Sequence, residues 1–341
     1  MTQTAFAAKV GVSQGAIAQV EGAFKNASAD LIQRIATQSK RFRVAFFHND
    51  PPIELSADSV MFRAKASMTR TDENEARRYT EVVCELAAVL LRRIKPMQFK
   101  LSQVTATDPR EAARETRAIL GIPSLEPIPH LLKEIEKSGV LVLSLPTELE
   151  GRDALSVWVD AIQMPVIALS RNRPGDRIRL SAGHEWGHIA LRHAKRLHAK
   201  EEKDAYEFSA ELLLPEAAMR REMTPPVTLT TLAKLKSRWR MSMQALILRG
   251  QGLGIITDDQ SADLYTQLSA KGWRKQEPVG IPEERPRLVR QLTEISYGQD
   301  WGGLADELGF ERDFVQQILE CYEAKTDSSA HRTKVVLLKK G

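Results

Sequence analysis

The sequence predicts an α+β protein that is mostly helical, with one small sheet near the middle of the chain. Two observations predict this class, and the chain length limits the number of domains. Apolar residues recur at helical spacing through residues 4–138 and again after residue 171. Three short apolar runs lie close together between residues 140 and 170, which is typical of strands. The length of 341 residues allows two or three domains.

Composition and charge restrict the classes of function. Hydrophobic residues make up 43% and charged residues 27% of the chain, as in soluble globular proteins. There is no long apolar run and no sign of a signal peptide, so we expect a cytoplasmic protein without a membrane partner. Cys84 and Cys321 are expected as buried free thiols. The net charge of +5 permits nucleic-acid binding without showing it.

Residues 1–48 form the first predicted domain, a compact helical unit. A short helix over residues 4–10 is followed by a glycine turn. Ser13 is typical of an N-cap and begins a second helix over residues 13–21. A third helix is predicted over residues 30–39, where apolar residues recur on one side.

This unit resembles the Cro/repressor-type (XRE) helix-turn-helix family. The resemblance rests on Thr2-Gln3, Phe6-Ala7, Val10 to Gln14, Ala16-Ile17, Val20 to Gly22 and Asn26 to Ser28. It implies DNA binding through residues 3–48, with Gln14 and Gln19 reading base edges in the major groove and Lys25 near phosphates. The family's first helix precedes Thr2-Gln3, so we expect a shortened domain or a start further upstream. A dimerisation or docking module is the alternative interpretation.

Helical regions are also predicted on both sides of the central sheet. Residues 49–138 form a linker and helical region whose longest helix covers residues 71–94. Residues 226–324 form a C-terminal helical domain, and residues 325–341 a basic tail. The helices predicted in the C-terminal domain cover residues 230–239, 242–249, 286–297 and 303–322.

The predicted sheet opens the region over residues 139–225. Its strands cover residues 140–145, 154–159 and 164–170 and suit a mainly antiparallel arrangement. A turn over residues 172–176 then begins a helix that we expect to continue to His193.

The motif H-E-x-x-H lies within that helix. His184 and His188 are four residues apart, so both imidazoles project from one face of the helix. Two neutral imidazoles at this spacing can bind one Zn²⁺, and Glu185 would then act as general base toward a metal-bound water. The motif therefore predicts a zinc hydrolase centre, although it does not specify the substrate and leaves other metal hydrolases possible.

A catalytic zinc site needs a third protein ligand. His193 follows His188 by five residues with no intervening glycine, which does not match the metzincin spacing, and we expect His193 and His198 at the surface. A carboxylate from the next helix is favoured instead. Glu202 lies three positions before the apolar residue Ala205, toward the inward side of that helix, and is the predicted ligand.

The motif and the block from Glu202 to Pro215 resemble the ImmA/IrrE family of zinc-dependent peptidase-like proteins. The family pattern is H-E-x-x-H followed by E-x-x-A-x-x-F-A-x-x-L-x-P. The resemblance implies a zincin-like peptidase domain with His184, His188 and Glu202 as ligands and Glu185 as catalytic base. Asp204, Tyr206 and Ser209 depart from common family residues, and Asp204 remains the second choice for the third ligand.

By this resemblance, the protein is expected to cleave or inactivate a repressor-type transcription regulator and so release stress or mobile-element genes. The alternative is a DNA-binding transcriptional regulator or antitoxin-like protein whose metal site is structural or vestigial.

Overall fold

The computed structural model describes residues 2–22, 25–49, 53–55, 61–62, 70–94, 98–145, 154–193 and 199–322. These residues form fifteen α-helices and one small sheet, so the predicted α+β, mostly helical class is confirmed. Among them, no helix is both long enough and apolar enough to span a bilayer. The predicted tail over residues 325–341 and His198 lie outside the described ranges.

The N-terminal unit contains α1 (Gln3–Val10), α2 (Gln14–Glu21) and α3 (Ala29–Ser39). Side chains of Thr2, Ser13 and Ser28 accept hydrogen bonds from the backbone at the three helix starts, which satisfies N–H groups that a helix leaves unpaired. The small core of this unit consists of Ala7, Val10, Ile17 and Leu31.

The sheet contains β1 (Met61–Phe62), β2 (Leu141–Leu145), β3 (Ala154–Val159) and β4 (Met164–Ser170), in the order β1-β3-β4-β2. The β3–β4 pair is antiparallel, as expected, and β1, which was not among the predicted strands, is also antiparallel to β3. The β2–β4 pair is parallel, so the sheet is mixed. β2 does not lie beside the strand that follows it in sequence, and local apolar patterning cannot reveal such a crossover.

Each face of the sheet supports a separate core. Successive side chains of a strand point to opposite faces. On β3, Leu155, Val157 and Val159 therefore pack with α4 (Arg70–Leu91), whereas Ala154 belongs to the opposite core. That opposite core includes α5 (Pro109–Ile119) and α6 (Leu131–Lys137), followed in the chain by α7 (Gly175–Ala190) and α8 (Ala199–Leu213).

The helices after residue 215 divide between the two cores. The face of the sheet that carries α7 is extended by α9 (Glu216–Glu222), α10 (Leu229–Trp239), α11 (Met243–Gly252) and α12 (Asp258–Ala270). The α4 face is covered by α13 (Leu288–Tyr297), α14 (Trp301–Leu308) and α15 (Arg312–Glu320). α12 was not among the predicted helices, although Thr257 and Gln260 form a capping box at its start.

Aromatic side chains join the N-terminal unit to the C-terminal helices. Phe42 forms an isolated antiparallel bridge with Phe310, which is fully buried. The ring of Phe42 lies 5.5 Å from that of Phe310 and 5.7 Å from that of Phe314. The backbone N–H of Arg43 also donates to the carbonyl of Gly309 over 2.8 Å. The segment after α3 is thus packed against α14 and α15 on the α4 side.

Candidate metal centre

The helix that carries H-E-x-x-H lies almost wholly inside the protein. α7 packs across β3 and β4 on one side and against α8 on another. The contact with α8 is close because Gly183 and Gly187 have no side chains there. A Cβ at Gly183 would lie 2.7 Å from the Oγ of Ser209, and a Cβ at Gly187 would lie 3.1 Å from the carbonyl oxygen of Ala205. These two glycines let the two helices approach each other.

Three potential metal ligands converge between these helices. The Nε2 atoms of His184 and His188 are 3.0 Å apart. The carboxylate of Glu202, from α8, lies 3.3 Å from Nε2 of His184 and 3.5 Å from Nε2 of His188. All three ligand atoms are within 4.8 Å of one another. Both imidazoles are buried, whereas the Glu202 side chain is 33% exposed, so the group has one side open toward solvent.

This geometry fits a four-coordinate zinc ion. Zinc bonds of about 2.0–2.1 Å to nitrogen and oxygen, arranged as a tetrahedron, separate neighbouring donor atoms by about 3.3 Å. The observed separations of 3.0, 3.3 and 3.5 Å surround that value. Two imidazoles and one carboxylate are also the ligand set of many catalytic zinc sites, which keep a fourth position for water or substrate.

Glu185 lies between the metal-binding face of α7 and the sheet. Its side chain is 2% exposed, and Oγ of Ser156 donates a hydrogen bond to its Oε2 over 2.5 Å. Ser156 is fully buried in the middle of β3. A strand of the sheet therefore fixes the orientation of the predicted base through a hydroxyl donor.

The family comparison agrees with this geometry. Residues 135–249 match the family model Peptidase_M78, described as the IrrE N-terminal-like domain. The match supports an ImmA/IrrE-type peptidase domain in this part of the chain, and it includes every residue of the converging ligand group. A comparison with curated proteins gives no match.

Within this peptidase domain, His193 has a role that the sequence did not indicate. The expectation of a surface residue is wrong, because α7 ends at Ala190 and the chain turns back at Arg192, which has a φ of 53°. Nδ1 of His193 then lies 2.8 Å from Nδ1 of His188. Burial lowers the pKa of His193, and the nearby carboxylates of Glu201 and Asp204 oppose this effect.

The contact between the two rings is compatible with the tautomer of His188 that suits a metal ligand. When Nδ1 of His188 carries the proton and donates it to a neutral His193, Nε2 of His188 presents its lone pair toward Glu202 and His184. Metal-ligating histidines commonly use their second nitrogen in this way.

The alternative third ligand lies apart from the converging group. Asp204 is not among the residues whose ligand atoms converge, and its charge acts on His193 instead. Tyr206, the next departure from the family pattern, packs its ring 4.3 Å from that of His184. Among the described residues, Glu202 is the carboxylate that meets both histidines.

The predicted DNA contacts lie far along the chain from this centre. Gln14 and Gln19 are exposed on α2, and Lys25 is exposed after it. The Gln14 amide donates to the side chain of Gln3, whose own amide donates to Glu21 over 2.6 Å. The side chains proposed as base readers are therefore accessible in the N-terminal unit.

Proposed function

We propose that this protein is a zinc-dependent endopeptidase-type regulator that cleaves or inactivates a repressor-like transcription factor. One observation carries the proposal: two buried imidazoles and a carboxylate converge beside a buried glutamate that follows the first histidine directly. A metal-binding site that served only structure would need neither the open side nor an adjacent base.

His184, His188 and Glu202 would hold the metal. When bound, zinc supplies Lewis-acid activation of water and of the peptide carbonyl. Glu185 would remove a proton from the attacking water and return it to the leaving amine. Ser156 would keep the Oε2 of Glu185 in place, and His193 would keep the His188 ring oriented. Each of these residues therefore has a separate and testable task.

The proposed substrate class rests on the other end of the chain. The N-terminal unit contains three short helices with an exposed second helix, and its sequence resembles repressor-type DNA-binding domains. A peptidase joined to such a unit would act where transcription is controlled. This arrangement supports a repressor-like substrate in stress or mobile-element control.

The test is co-expression with a repressor-like protein encoded nearby, with cleavage followed by mass spectrometry of the fragments. Glu185→Gln should lower the rate of cleavage by about 10²–10⁴-fold, because it removes the base and leaves the ligands intact. Glu202→Gln and His188→Ala should lower the zinc content as well. Lys200→Gln, an exposed position on the same helix as the ligand, is the matched control and should change neither rate nor zinc content.

Cleavage by Glu185→Gln at the wild-type rate would refute the proposed mechanism. If the wild-type protein binds zinc and the repressor but yields no fragments, endopeptidase action is refuted. The protein would then inactivate the repressor by binding alone.

A second candidate function is a DNA-binding transcriptional regulator with a non-catalytic metal site. The exposure of Gln14 and Gln19 on one short helix favours it. Gln14→Ala and Gln19→Ala should then relax sequence preference in a DNA mobility assay, at a cost of about 1–3 kcal/mol for each lost base contact. Lys25→Ala should weaken binding to all sequences and reduce the salt dependence. Equal binding by all three variants and the wild type would refute this function.

A further inference from the structure

We propose that Trp158, supported by Phe99, forms a subsite for one large apolar side chain of a peptide substrate, beside the metal centre. This inference rests on the proposed peptidase function and adds a substrate preference to it. Trp158 is 45% exposed, although it lies on a strand whose other residues are all buried. An exposed indole ring carries a large apolar surface that is available for binding.

The alternation of β3 places Trp158 on the face of the metal centre. Residues two apart on a strand share a face. Ala154 belongs to the core that contains α7, and Ser156 donates its hydrogen bond to Glu185 of α7. Trp158 is next in this series. The three residues that alternate with it, Leu155, Val157 and Val159, belong to the core on the α4 side.

The position of Trp158 relative to Glu185 follows from regular strand and helix geometry. Two residues along a strand advance about 6.6 Å, and one helical turn advances about 5.4 Å. The contacts of β3 show which way along α7 this advance runs. Ser156 meets Glu185, whereas Trp158 meets Phe99, and the segment after Phe99 accepts hydrogen bonds from Arg192, just after the end of α7. Trp158 therefore lies about one helical turn beyond Glu185, toward the end of α7 that carries His188.

An extended peptide spans about the same distance between alternate side chains. A side chain one or two residues from the scissile bond would therefore reach Trp158 while the bond itself lies at Glu185. This geometry favours a position near the cleavage site for the apolar residue, rather than a remote contact.

Phe99 gives the subsite a second wall. Its ring lies 5.8 Å from that of Trp158 at an interplanar angle of 69°, an edge-to-face arrangement. The segment that holds Phe99 is fixed by the backbone N–H of Lys100, which donates to the carbonyl of Ser138 over 2.8 Å. Arg192, just after α7, also donates to the carbonyls of Ser102 and Val104. The aromatic pair is thus tied to the end of the metal-binding helix.

Two rigid aromatic rings in an edge-to-face arrangement favour an apolar partner. They offer contact area at low cost in side-chain entropy and provide no charge that would select an acidic or basic residue. The ligand class is therefore a large apolar residue, such as leucine, methionine or phenylalanine, within an extended segment of the substrate.

The experiment uses the full-length zinc-loaded protein and a library of internally quenched decapeptides in which each position varies. We expect the wild type to prefer a large apolar residue at one position near the cleaved bond. Trp158→Ala should reduce kcat/KM for those peptides by about 10- to 100-fold and leave peptides with alanine there nearly unchanged. Trp158→Phe should restore much of the preference.

Leu248→Ala is the matched control. Leu248 is the other large hydrophobic residue that is exposed among the described parts of the chain, at 65%, but it lies on α11. Its loss should not alter the preference. A merely structural effect of Trp158→Ala would lower cleavage of all peptides alike.

Calorimetry of the same peptides with the Glu185→Gln protein measures binding without cleavage. This measurement separates the proposed subsite from the proposed peptidase function. If Trp158→Ala keeps the preference for apolar residues in both cleavage and binding, the subsite is overturned and the peptidase function is unaffected. Apolar peptides that bind through Trp158 but are never cut support the subsite and overturn the peptidase function. Peptides that neither bind nor are cut overturn both.

Discussion

Gly187→Ala tests whether the close approach of α7 and α8 is what brings Glu202 to the two histidines. A Cβ at position 187 would lie 3.1 Å from the carbonyl oxygen of Ala205, 3.1 Å from Cδ1 of Phe208 and 3.2 Å from Cα of Ala205. Two of these three atoms belong to the α8 backbone. The added methyl group therefore cannot be accommodated by a side-chain rotation alone, and α8 must move away by a few tenths of an ångström.

Two effects of opposite sign determine the change in stability. Overpacking of a tight contact costs about 1–3 kcal/mol, whereas alanine is favoured over glycine within a helix by about 1 kcal/mol. We therefore expect a net loss of up to about 2 kcal/mol in the free energy of unfolding. Because Glu202 is on the displaced helix, three residues before Ala205, zinc affinity should fall by about 10- to 100-fold, as for other displacements around metal ligands.

The assay combines urea unfolding of the metal-free protein with a zinc titration against a competing chelator. Gly252→Ala is the matched control, since no atom lies within 4 Å of a Cβ placed there, and it should leave stability equal or slightly higher. Wild-type zinc affinity in Gly187→Ala would refute the reasoning, because the position of Glu202 would then not depend on this contact.

Two further predictions follow from buried contacts. His193→Ala should lower zinc affinity about ten-fold by removing the partner of Nδ1 of His188, and His193→Asn should restore part of it; chelator competition that finds equal affinities would contradict this. Burial raises the pKa of Glu136 from 4.5 to about 8, although backbone N–H groups of Leu288 and Arg287 oppose the rise. The folded state then binds more protons than the unfolded state, so this group's contribution to stability is lost as pH rises from about 4.5 to about 8. Glu136→Gln should remove that slope in urea unfolding measured at pH 5 and pH 8, and an unchanged slope would show that another group is responsible.

Much of the metal centre follows from short-range periodicity. His184 and His188 share a helix face because of their four-residue spacing, and the apolar side of the next helix predicts that Glu202 points inward. Both features depend only on the geometry of a single helix. The strands over residues 154–159 and 164–170 can also be predicted from the sequence, since their bounds follow from apolar runs and the turn between them.

Other parts of the site could not be predicted in this way. Ser156 reads as one polar residue in an apolar strand, and nothing near it in sequence indicates Glu185 as its partner. His193 follows His188 by five residues, and on a continuous helix the two rings would point in different directions. The left-handed turn at Arg192 ends that continuity and brings the two rings together.

The sequence by itself determined the elements and their chemistry: the class of fold, the two helices of the metal centre, and the residue types able to bind and activate water. Tertiary structure decided which elements meet. It paired β2 with β4, divided the C-terminal helices between the two faces of the sheet, and joined Phe42 to Phe310. The physical reason is that helix and strand periodicity depend on neighbouring residues, whereas these contacts arise from burying distant apolar surfaces together.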